Sequence, residues 1–410
     1  MSMQAMRGEQ PVFYSPLLDA YVVSRYADIR AVFTNLESFS PANATEPISP
    51  LCRAATAKLE EHEFRKVRTL GVEEEPAHMR LRKRLNEPFS PASVKAWEPR
   101  VREVMNGYID GFVGRGHADL VEEMIIEAPA VVALEFLGVP EEDIEQTKDF
   151  AKGIMTFVFG RPSEQEQVET CDLMGQHQKY STELVERLIE NPAGDGFLPF
   201  AVRAYLDDPE DLDLNYLSGL AMNGLAAAHE TTSNSAANLF LLLLGNRDSW
   251  EEICADPSLI PGAVEESLRL GMPGATWRRR CVVETEVGGV AIPAGATVLL
   301  ALASGNCDED VFPQPDRFDI HRDNARRQLA FGIGAHRCLG AGLAQLQMKV
   351  MAEELSRRLP HMRLVEDQEL TYQGTASVGG PLHLLVEWDP ARNPVEADRV
   401  VAAEAPGLDL

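Results

Sequence analysis

Apolar residues recur at intervals of three and four along most of the chain, and this spacing predicts a mainly helical protein. The predicted helices cover these segments: 26–34, 76–86, 91–113, 120–137, a stretch beginning near residue 141, both ends of 153–200, 217–245, 250–270 and 341–358. The longest apolar segment also carries Asn223, His229 and Glu230, which are costly in lipid. We therefore interpret it as a helix buried in a protein core rather than a membrane span.

Strand patterns are short. Alternating apolar residues predict two strands within 12–23 around a turn at 15–19, a hairpin and a further strand within 282–302, and strands within 362–388. Residues 40–75 show no clear period and are predicted to form a long loop with short helical pieces, a kind of segment that often carries function. The predicted fold class is mainly α with small β-sheets.

The charge balance narrows the class of partner. The 410 residues include 38 Lys and Arg against 64 Asp and Glu, and this net charge of −26 argues against nucleic acid. The six cysteines are scattered without a C-x-x-C pair, which favours a reducing compartment and argues against a structural zinc or iron–sulfur cluster. Because residues 1–10 hold no apolar signal segment, we expect a cytoplasmic protein without membrane contact.

One glycine-rich loop, residues 331–340, carries a single cysteine and precedes a predicted helix. A Cys338 thiolate in such a loop is a suitable ligand for a soft or redox-active metal. Phe331 is placed to lie against a flat apolar cofactor, and Gly334 and Gly340 permit backbone angles and close approaches that a side chain would prevent. The alternative interpretation is a buried structural thiol.

His78 and Arg82 form a second candidate site. They are four residues apart on a predicted helix, so they share one face and could bind an anionic group together. The alternative is an ordinary solvated basic face.

Two acidic residues on predicted helices have notable neighbours. Glu230 is followed by Thr231, an acid beside a hydroxyl in an apolar helix, where buried polar groups need partners. The zinc motif H-E-x-x-H is excluded because Ser233 occupies its second histidine position. Glu266 and Arg269 are three residues apart, a pair that is usually a weak surface contact.

Taken together, these motifs resemble those of a known family. The order F-x-x-G-x-x-x-C-x-G in residues 331–340 resembles the haem-binding signature of cytochromes P450. The other motifs resemble family motifs in the expected order: His78/Arg82, Glu230-Thr231 and Glu266/Arg269. Two positions depart from the pattern, since Ala228 stands where the family usually has Gly, and Cys307 where it usually has Arg.

The resemblance covers residues 10–390 and implies the cytochrome P450 fold: a triangular, α-rich single haem domain over 1–390. Haem would lie between the long central helix and the helix after the cysteine loop. The first helix is expected to be truncated, and 391–410 to be an acidic, disordered tail. The segment after Glu266 is most similar to haem domains of self-sufficient bacterial P450s, which are fused to a flavin and iron–sulfur reductase, and to their stand-alone relatives.

The resemblance also implies roles for individual residues. Cys338 would bind the iron of haem b as a thiolate, and Glu230 and Thr231 would guide protons to O2 at the distal side. The residues expected to contact haem are His78, Arg82, Ala227, Arg279, Phe331, Gly332, His336 and Gly340, with Trp277 as a further donor. A buried Glu266–Arg269 pair would take a third member, for which Arg317 and Arg322 are both candidates.

The implied activity is a monooxygenase that hydroxylates or dealkylates a small hydrophobic organic substrate. The candidate substrate contacts are Phe157, Phe159, Asn223, Ala227, Ala275, Thr276, Ser377 and Val378, and no fixed charge among them points to an anionic substrate. The electron donor would be a ferredoxin or a flavin and iron–sulfur reductase, either separate or a lost fusion partner. It would dock on a basic patch formed by Arg326, Arg327, Arg337 and Lys349.

The chain is expected to be a monomer. Two alternatives stay open, a haem-thiolate sensor without oxygen activation and a peroxide-driven peroxygenase. A sensor has no need of the Glu230-Thr231 pair, and a peroxygenase often lacks it.

Overall fold

The protein was analysed as a computed structural model, which describes residues 2–66, 68–210, 212–372 and 379–394, except for the side chains of residues 151 and 152. The α-helices are α1 Met3–Glu9, α2 Tyr26–Thr34, α3 Arg53–Glu61, α4 Ala77–Leu85, α5 Pro91–Ala96, α6 Glu98–Phe112, α7 Glu127–Leu137, α8 Ile144–Phe159, α9 Glu164–Glu190, α10 Phe197–Asp207, α11 Leu214–Ala228, α12 Glu230–Gly245, α13 Arg247–Ala255, α14 Ile260–Leu270, α15 Leu302–Asn306 and α16 Ala341–Arg358. The strands are β1 Val12–Ser15, β2 Ala20–Val23, β3 Phe39–Ser40, β4 His117–Asp119, β5 Trp277–Cys281, β6 Thr285–Val287, β7 Val290–Ile292, β8 Thr297–Leu300, β9 Arg363–Leu364 and β10 Leu385–Glu387.

Three small sheets accompany the helices. The largest has the strand order β1-β2-β8-β5-β3, with β2 and β8 parallel and the other pairs antiparallel. A three-stranded sheet has the order β4-β10-β9, and β6 and β7 form a hairpin. The first sheet fixes β5, because Arg279 lies opposite Val298 of β8 in its centre.

Two apolar cores meet at the cysteine loop. The larger core lies between helices and includes Met105 of α6, Phe240 of α12 and Met351 of α16. The smaller core joins α2 to the five-stranded sheet. Ala330, immediately before the loop, packs against both cores, so the loop begins where they join.

The predicted fold class is confirmed, and so are the strand pair within 12–23 and the helices over 26–34 and 341–358. Two predicted helices are each divided near a proline. The segment 91–113 divides at Trp97, and Pro99 falls in the first turn of α6, where a missing N–H costs nothing. The segment 250–270 divides at Pro257, and Pro261 likewise falls in the first turn of α14.

The predicted chain ends are only partly described. Helix α1 covers Met3–Glu9, and a 3-10 turn over Pro390–Arg392 overlaps the start of the expected tail. Residues 395–410 lie outside the described part of the chain. Among the described helices, none combines the length and the apolar character needed to cross a membrane.

Candidate haem site

The cysteine loop is folded by its own backbone hydrogen bonds. The Cys338 N–H donates to the Phe331 carbonyl oxygen at 2.8 Å, and the Arg337 N–H to that of Gly334 at 3.1 Å. Gly332 and Gly334 have φ angles of 64° and 78°, a left-handed conformation that favours glycine. The loop therefore returns on itself and places Cys338 immediately before α16.

The environment of the Cys338 sulfur suits a thiolate ligand. Its side chain is exposed, while Cys171 and Cys281 are buried. Surrounding protein limits hydration and raises the pKa of the Cys338 thiol, but the backbone N–H groups of Gly340 and Ala341 act in the opposite direction. These N–H groups begin α16, where unpaired donors favour negative charge.

Four basic side chains from three parts of the chain converge beside the loop. The rings of His78 on α4 and His336 in the loop are stacked, with centroids 3.8 Å apart. Burial, together with the nearby charges of His78, Arg279 and Arg82, lowers the pKa of His336 to about 3. The Arg82 Nη2 donates to the Arg337 carbonyl oxygen at 2.6 Å, which fastens α4 to the loop.

Several of these donors are buried without a hydrogen bond in the described part of the chain. They are His78 Nε2, Arg279 Nε and His336 Nδ1. Burial lowers the pKa of Arg279 to about 10, and its guanidinium lies over the Phe33 ring at 5.0 Å. The His78 Nδ1 contacts the Glu75 carboxylate at 3.0 Å. The three atoms without a bond are still costly to bury unless an anionic ligand completes them.

The central helix is broken where the acid and the hydroxyl stand. The prediction of one helix over 217–245 was wrong, because α11 ends at Ala228 and α12 begins at Glu230. The Thr231 Oγ1 donates to the Ala227 carbonyl oxygen at 2.7 Å and competes for an acceptor of the regular helix. His229 contacts the carbonyl oxygen of Ile126 through Nε2 at 3.1 Å and fixes the break from behind. Ala227 is exposed on the other side, so the break opens one helix face.

Arg322, and not Arg317, is the third member of the Glu266–Arg269 cluster. Both side chains of that pair have 0% exposure, and the guanidinium donates to both carboxylate oxygens, at 2.7 and 2.8 Å. The Arg322 Nε contacts the same oxygens at 2.9 and 3.0 Å. Arg317 contributes its carbonyl oxygen instead of its side chain.

The substrate candidates are brought together only in part. Phe157 and Phe159 belong to one apolar cluster at the end of α8, and the Phe159 ring lies 5.9 Å from that of Trp277. Asn223, Ala275 and Thr276 are half-buried on α11 and in the segment before β5. Ser377 and Val378 lie outside the described residues.

Residues 40–75, predicted to form a long loop with short helical pieces, include α3 and a segment that is fastened to α9. In this strap, residues 52–65, the Cys52 N–H donates to Gln167 Oε1 at 2.7 Å. The Arg65 N–H donates to Gln178 Oε1 at 2.9 Å, and Gln178 Nε2 donates to the Arg65 carbonyl oxygen at 2.6 Å. The His62 ring sits on Gly175, where an added Cβ would be 2.1 Å from its Cγ. No local pattern in the sequence signals this contact, because it joins residues more than a hundred positions apart.

A depression of about 610 Å³ lies on the side of Cys338 that faces α5 and α16. The basic residues that line it are Arg82, Lys95, Arg326, Arg337 and Lys349, and the acidic ones are Glu98 and Glu265. Lys349 already contacts Glu98 at 3.4 Å and Glu353 at 2.8 Å, so part of this positive charge is offset. Arg327 lies over the Tyr26 ring and is not among the lining residues.

Comparison with known proteins assigns the family. The family model described as Cytochrome P450 matches residues 257–369. The chain is 33% identical over 390 residues to a vitamin D(3) 25-hydroxylase of Pseudonocardia autotrophica, covering 94% of this chain and 93% of that protein. The chain therefore belongs to the cytochrome P450 family. Its relatives are monooxygenases that use haem b and O2, and it is an enzyme of that class.

Solved structures with a similar fold belong to the same family, and two of them have a higher sequence identity to this chain than the hydroxylase above. The haem domain of a Tepidiphilus thermophilus P450 has a TM-score of 0.91 and 42% identity, covering 96% of this chain and 94% of that one. An intact type IV self-sufficient P450 monooxygenase has a TM-score of 0.93 and 45% identity over 100% of this chain. The chain spans only 53% of that longer protein.

The described residues fit haem b. The cofactor carries two carboxylates, and the site offers buried, unpaired donors from His78, Arg279 and His336 beside an exposed cysteine. Cys338 would hold the iron, and these donors, with Arg82, would hold the carboxylates. Such a thiolate-bound haem supplies oxygen activation by electron donation from sulfur.

Proposed function

We propose that this P450 monooxygenase inserts one oxygen atom of O2 into a small organic substrate with a hydrophobic body. The reaction would be hydroxylation, or dealkylation where the attacked carbon carries oxygen, sulfur or nitrogen. The single observation that carries this proposal is the broken central helix, where Glu230 and Thr231 stand beside an exposed Ala227. The apolar cluster around Phe157 and Phe159 supports a hydrophobic substrate.

Thr231 is positioned to take part in proton transfer. Its hydroxyl hydrogen is directed to the Ala227 carbonyl, so the Oγ1 lone pairs remain available to accept a hydrogen bond from water. Glu230, one residue earlier at the start of α12, is a carboxylate that can exchange protons with the solvent. Together they would relay protons into the distal side of the site.

The test replaces Thr231 by Ala and compares it with Ser235→Ala. Ser235 lies one turn further along α12 and makes the same kind of bond, from Oγ to the Thr231 carbonyl oxygen at 2.8 Å. We expect Thr231→Ala to retain haem while a large part of the NAD(P)H consumed yields hydrogen peroxide instead of product. Ser235→Ala should keep the coupling of wild type. Unaltered coupling in Thr231→Ala would refute the relay.

The same assay separates the alternatives. Turnover driven by NAD(P)H, O2 and a surrogate ferredoxin with its reductase supports the monooxygenase. Turnover only with added peroxide would support a peroxygenase. The sensor alternative predicts no oxidised product under either condition, and the monooxygenase relatives do not favour it.

We also propose that the electron donor docks over the depression behind Cys338. Exposed Arg326, Arg337 and Lys95 line it, in a chain whose net charge is −26, so an acidic ferredoxin surface would be attracted there. The match to one half of a self-sufficient enzyme supports a flavin and iron–sulfur reductase as the donor, separate or fused.

Charge reversal tests this docking. Arg326→Glu should slow electron transfer from a ferredoxin several-fold at low salt and flatten the dependence on ionic strength. Arg363→Glu is the matched control. Arg363 is an exposed arginine of β9 that is paired with Glu387 of β10, and it does not line the depression. Equal rates and equal salt dependence in the two variants would contradict the assignment.

A further inference from the structure

Arg278 is a buried cation without a bonded carboxylate. Only 8% of the residue is exposed. Its Nη2 donates to the carbonyl oxygens of Ala44 at 3.2 Å and Val158 at 3.3 Å, and its guanidinium lies over the Phe159 ring at 5.8 Å. Its Nε and Nη1 make no hydrogen bond to any described residue.

The other buried arginines show how unusual this is. Five arginines are buried in the described part of the chain: Arg7, Arg269, Arg278, Arg279 and Arg358. Three of them bind carboxylates, namely Arg7 with Glu309, Arg269 with Glu266 and Arg358 with Asp110. Arg279 has an unbonded Nε on the face assigned to the haem carboxylates. Arg278 alone among the five has neither a bonded carboxylate nor a place in the haem site.

Glu46, the acid whose charge acts on Arg278, already binds two other cations. Glu46 acts on the charge of Arg278, but its carboxylate binds Arg280 at 2.8 Å and Lys66 at 3.0 Å. Burial lowers the pKa of Arg278, which measures the cost of keeping its charge away from water. A buried charge of this kind normally has a partner of opposite sign.

The location joins Arg278 to the apolar cluster at the end of α8, whose Phe157 and Phe159 are candidate substrate contacts. Side chains alternate along β5, so Arg278 and Arg280 share one face while Arg279 points to the other. The Val158 carbonyl belongs to the last turn of α8, whose Phe159 contacts both Arg278 and the ring of Trp277. Phe159 therefore lies between Arg278 and Trp277, and an apolar group packed on this ring would be next to the Nε and Nη1 of Arg278.

We propose that Arg278 binds an anionic group on the substrate, a carboxylate or a phosphate monoester, whose apolar body lies against Phe159. The inference rests on the proposed monooxygenase function and names its substrate class as amphiphilic organic anions. Charge-assisted hydrogen bonds from Nε and Nη1 would hold the anion, and the aromatic ring would hold the adjacent carbons. The proposal therefore predicts one cation at the edge of a substrate pocket that we expected, from the sequence alone, to carry no fixed charge.

A structural role makes a different prediction. If Arg278 served only to cap α8 and fasten the loop at Ala44, its loss would loosen that contact for every ligand alike. Anion binding instead predicts discrimination between ligands that differ only in charge.

The experiment uses the haem-loaded enzyme and three aromatic ligands of similar shape: a 4-alkylbenzoate, the corresponding 4-alkylbenzamide, and a 4-alkylphenyl phosphate. Binding is followed by the haem spin-state shift. Wild type should bind the benzoate or the phosphate at least about 10-fold more tightly than the neutral amide, and Arg278→Gln should weaken that anion about 10- to 100-fold while leaving the amide unchanged. Arg280→Gln, on the same strand face but paired with Glu46, should preserve the preference.

Each outcome is decisive. Equal affinity of wild type for charged and neutral ligands overturns the proposal. This measurement uses wild type alone, so it does not depend on whether a variant folds. Equal weakening of all ligands in Arg278→Gln also overturns it, in favour of the structural role. Oxidation of the amide without charge discrimination refutes anion recognition alone, whereas no NAD(P)H-dependent oxidation of any ligand refutes the proposed function.

Discussion

Two buried arginines, Arg269 and Arg278, differ in how completely their guanidinium groups are hydrogen-bonded. Arg269 donates to both oxygens of Glu266 and to three backbone carbonyls, so its guanidinium is saturated. Arg278 has two carbonyl oxygens on one nitrogen and no bonded acid. A saturated charge of this kind belongs to the scaffold, whereas we propose that an unsaturated one binds a ligand. Arg279 is of the second kind, because its Nε has no hydrogen bond to a described residue and lies beside the residues that would hold haem.

The largest effect is expected from removing the acid of the saturated cluster. Glu266→Gln would leave Arg269 and Arg322 buried without the carboxylate they share, and should lower the free energy of unfolding by about 3–5 kcal/mol. Urea unfolding and the yield of haem-loaded protein measure the loss. The control is Glu252→Gln, which breaks an exposed contact with His321 and should change stability by less than about 1 kcal/mol. Similar losses in the two variants would remove the distinction drawn between the arginines.

An intermediate effect is expected at Arg279. Arg279→Met should speed the loss of haem to an acceptor protein by about 10-fold or more, since a charge-assisted bond to a carboxylate is lost. The same variant of the haem-free protein should unfold at the same urea concentration or higher, because a buried unpaired charge has been removed. Arg269→Met provides the contrast, with a clear fall in the stability of the haem-free protein. If Arg279→Met destabilised that form equally, Arg279 would belong with the scaffold.

The smallest effect concerns His177 on α9, a buried ring whose two nitrogens form no hydrogen bond to any described residue. The ring is stacked on Phe150 at 4.8 Å, and burial lowers its pKa from 6.5 to about 3. Between these values the unfolded chain takes up a proton and the folded chain does not. Stability is therefore lost as the pH falls, by about 1 kcal/mol from this residue between pH 6.5 and about pH 5.5.

His177→Phe should remove that component. Unfolding curves of wild type and variant should differ little in their pH dependence above pH 7, and wild type should lose about 1 kcal/mol more on acidification to about pH 5.5. Identical slopes for the two proteins over this range would show that His177 takes up a proton while folded.

The sequence allowed us to predict features that depend on local residue patterns. It did not allow us to predict features that depend on contacts between distant parts of the chain. The Cys338 loop, the His78/Arg82 face and the Glu266/Arg269 spacing are local patterns, and they led to the P450 fold. The break at His229 was missed because apolar periodicity continues through it, while a single hydroxyl of Thr231 competes for a backbone acceptor. The selection of Arg322 over Arg317 depends on the path of the turns between them.

Arg278 escaped sequence analysis for a related reason. Three consecutive arginines look alike in the sequence, and only the pleat of β5 and the position of the α8 end separate their roles. Whether Glu46 neutralises Arg278 or Arg280 likewise depends on how a loop far away in the chain folds over the sheet.

The attachment of the strap to α9 has a consequence for how this enzyme can diversify. Gln167 and Gln178 hold backbone atoms of Cys52 and Arg65, so the side chains between them can change without undoing those bonds. Gly175 has no such latitude, because the His62 ring occupies the space of its missing side chain. Mutational drift should therefore be tolerated at the exposed positions of residues 53–61, but not at the buried Ala55 or at Gly175 on the facing surface of α9. A library of variants in this segment is best built on those exposed positions, with the anchor on α9 left intact.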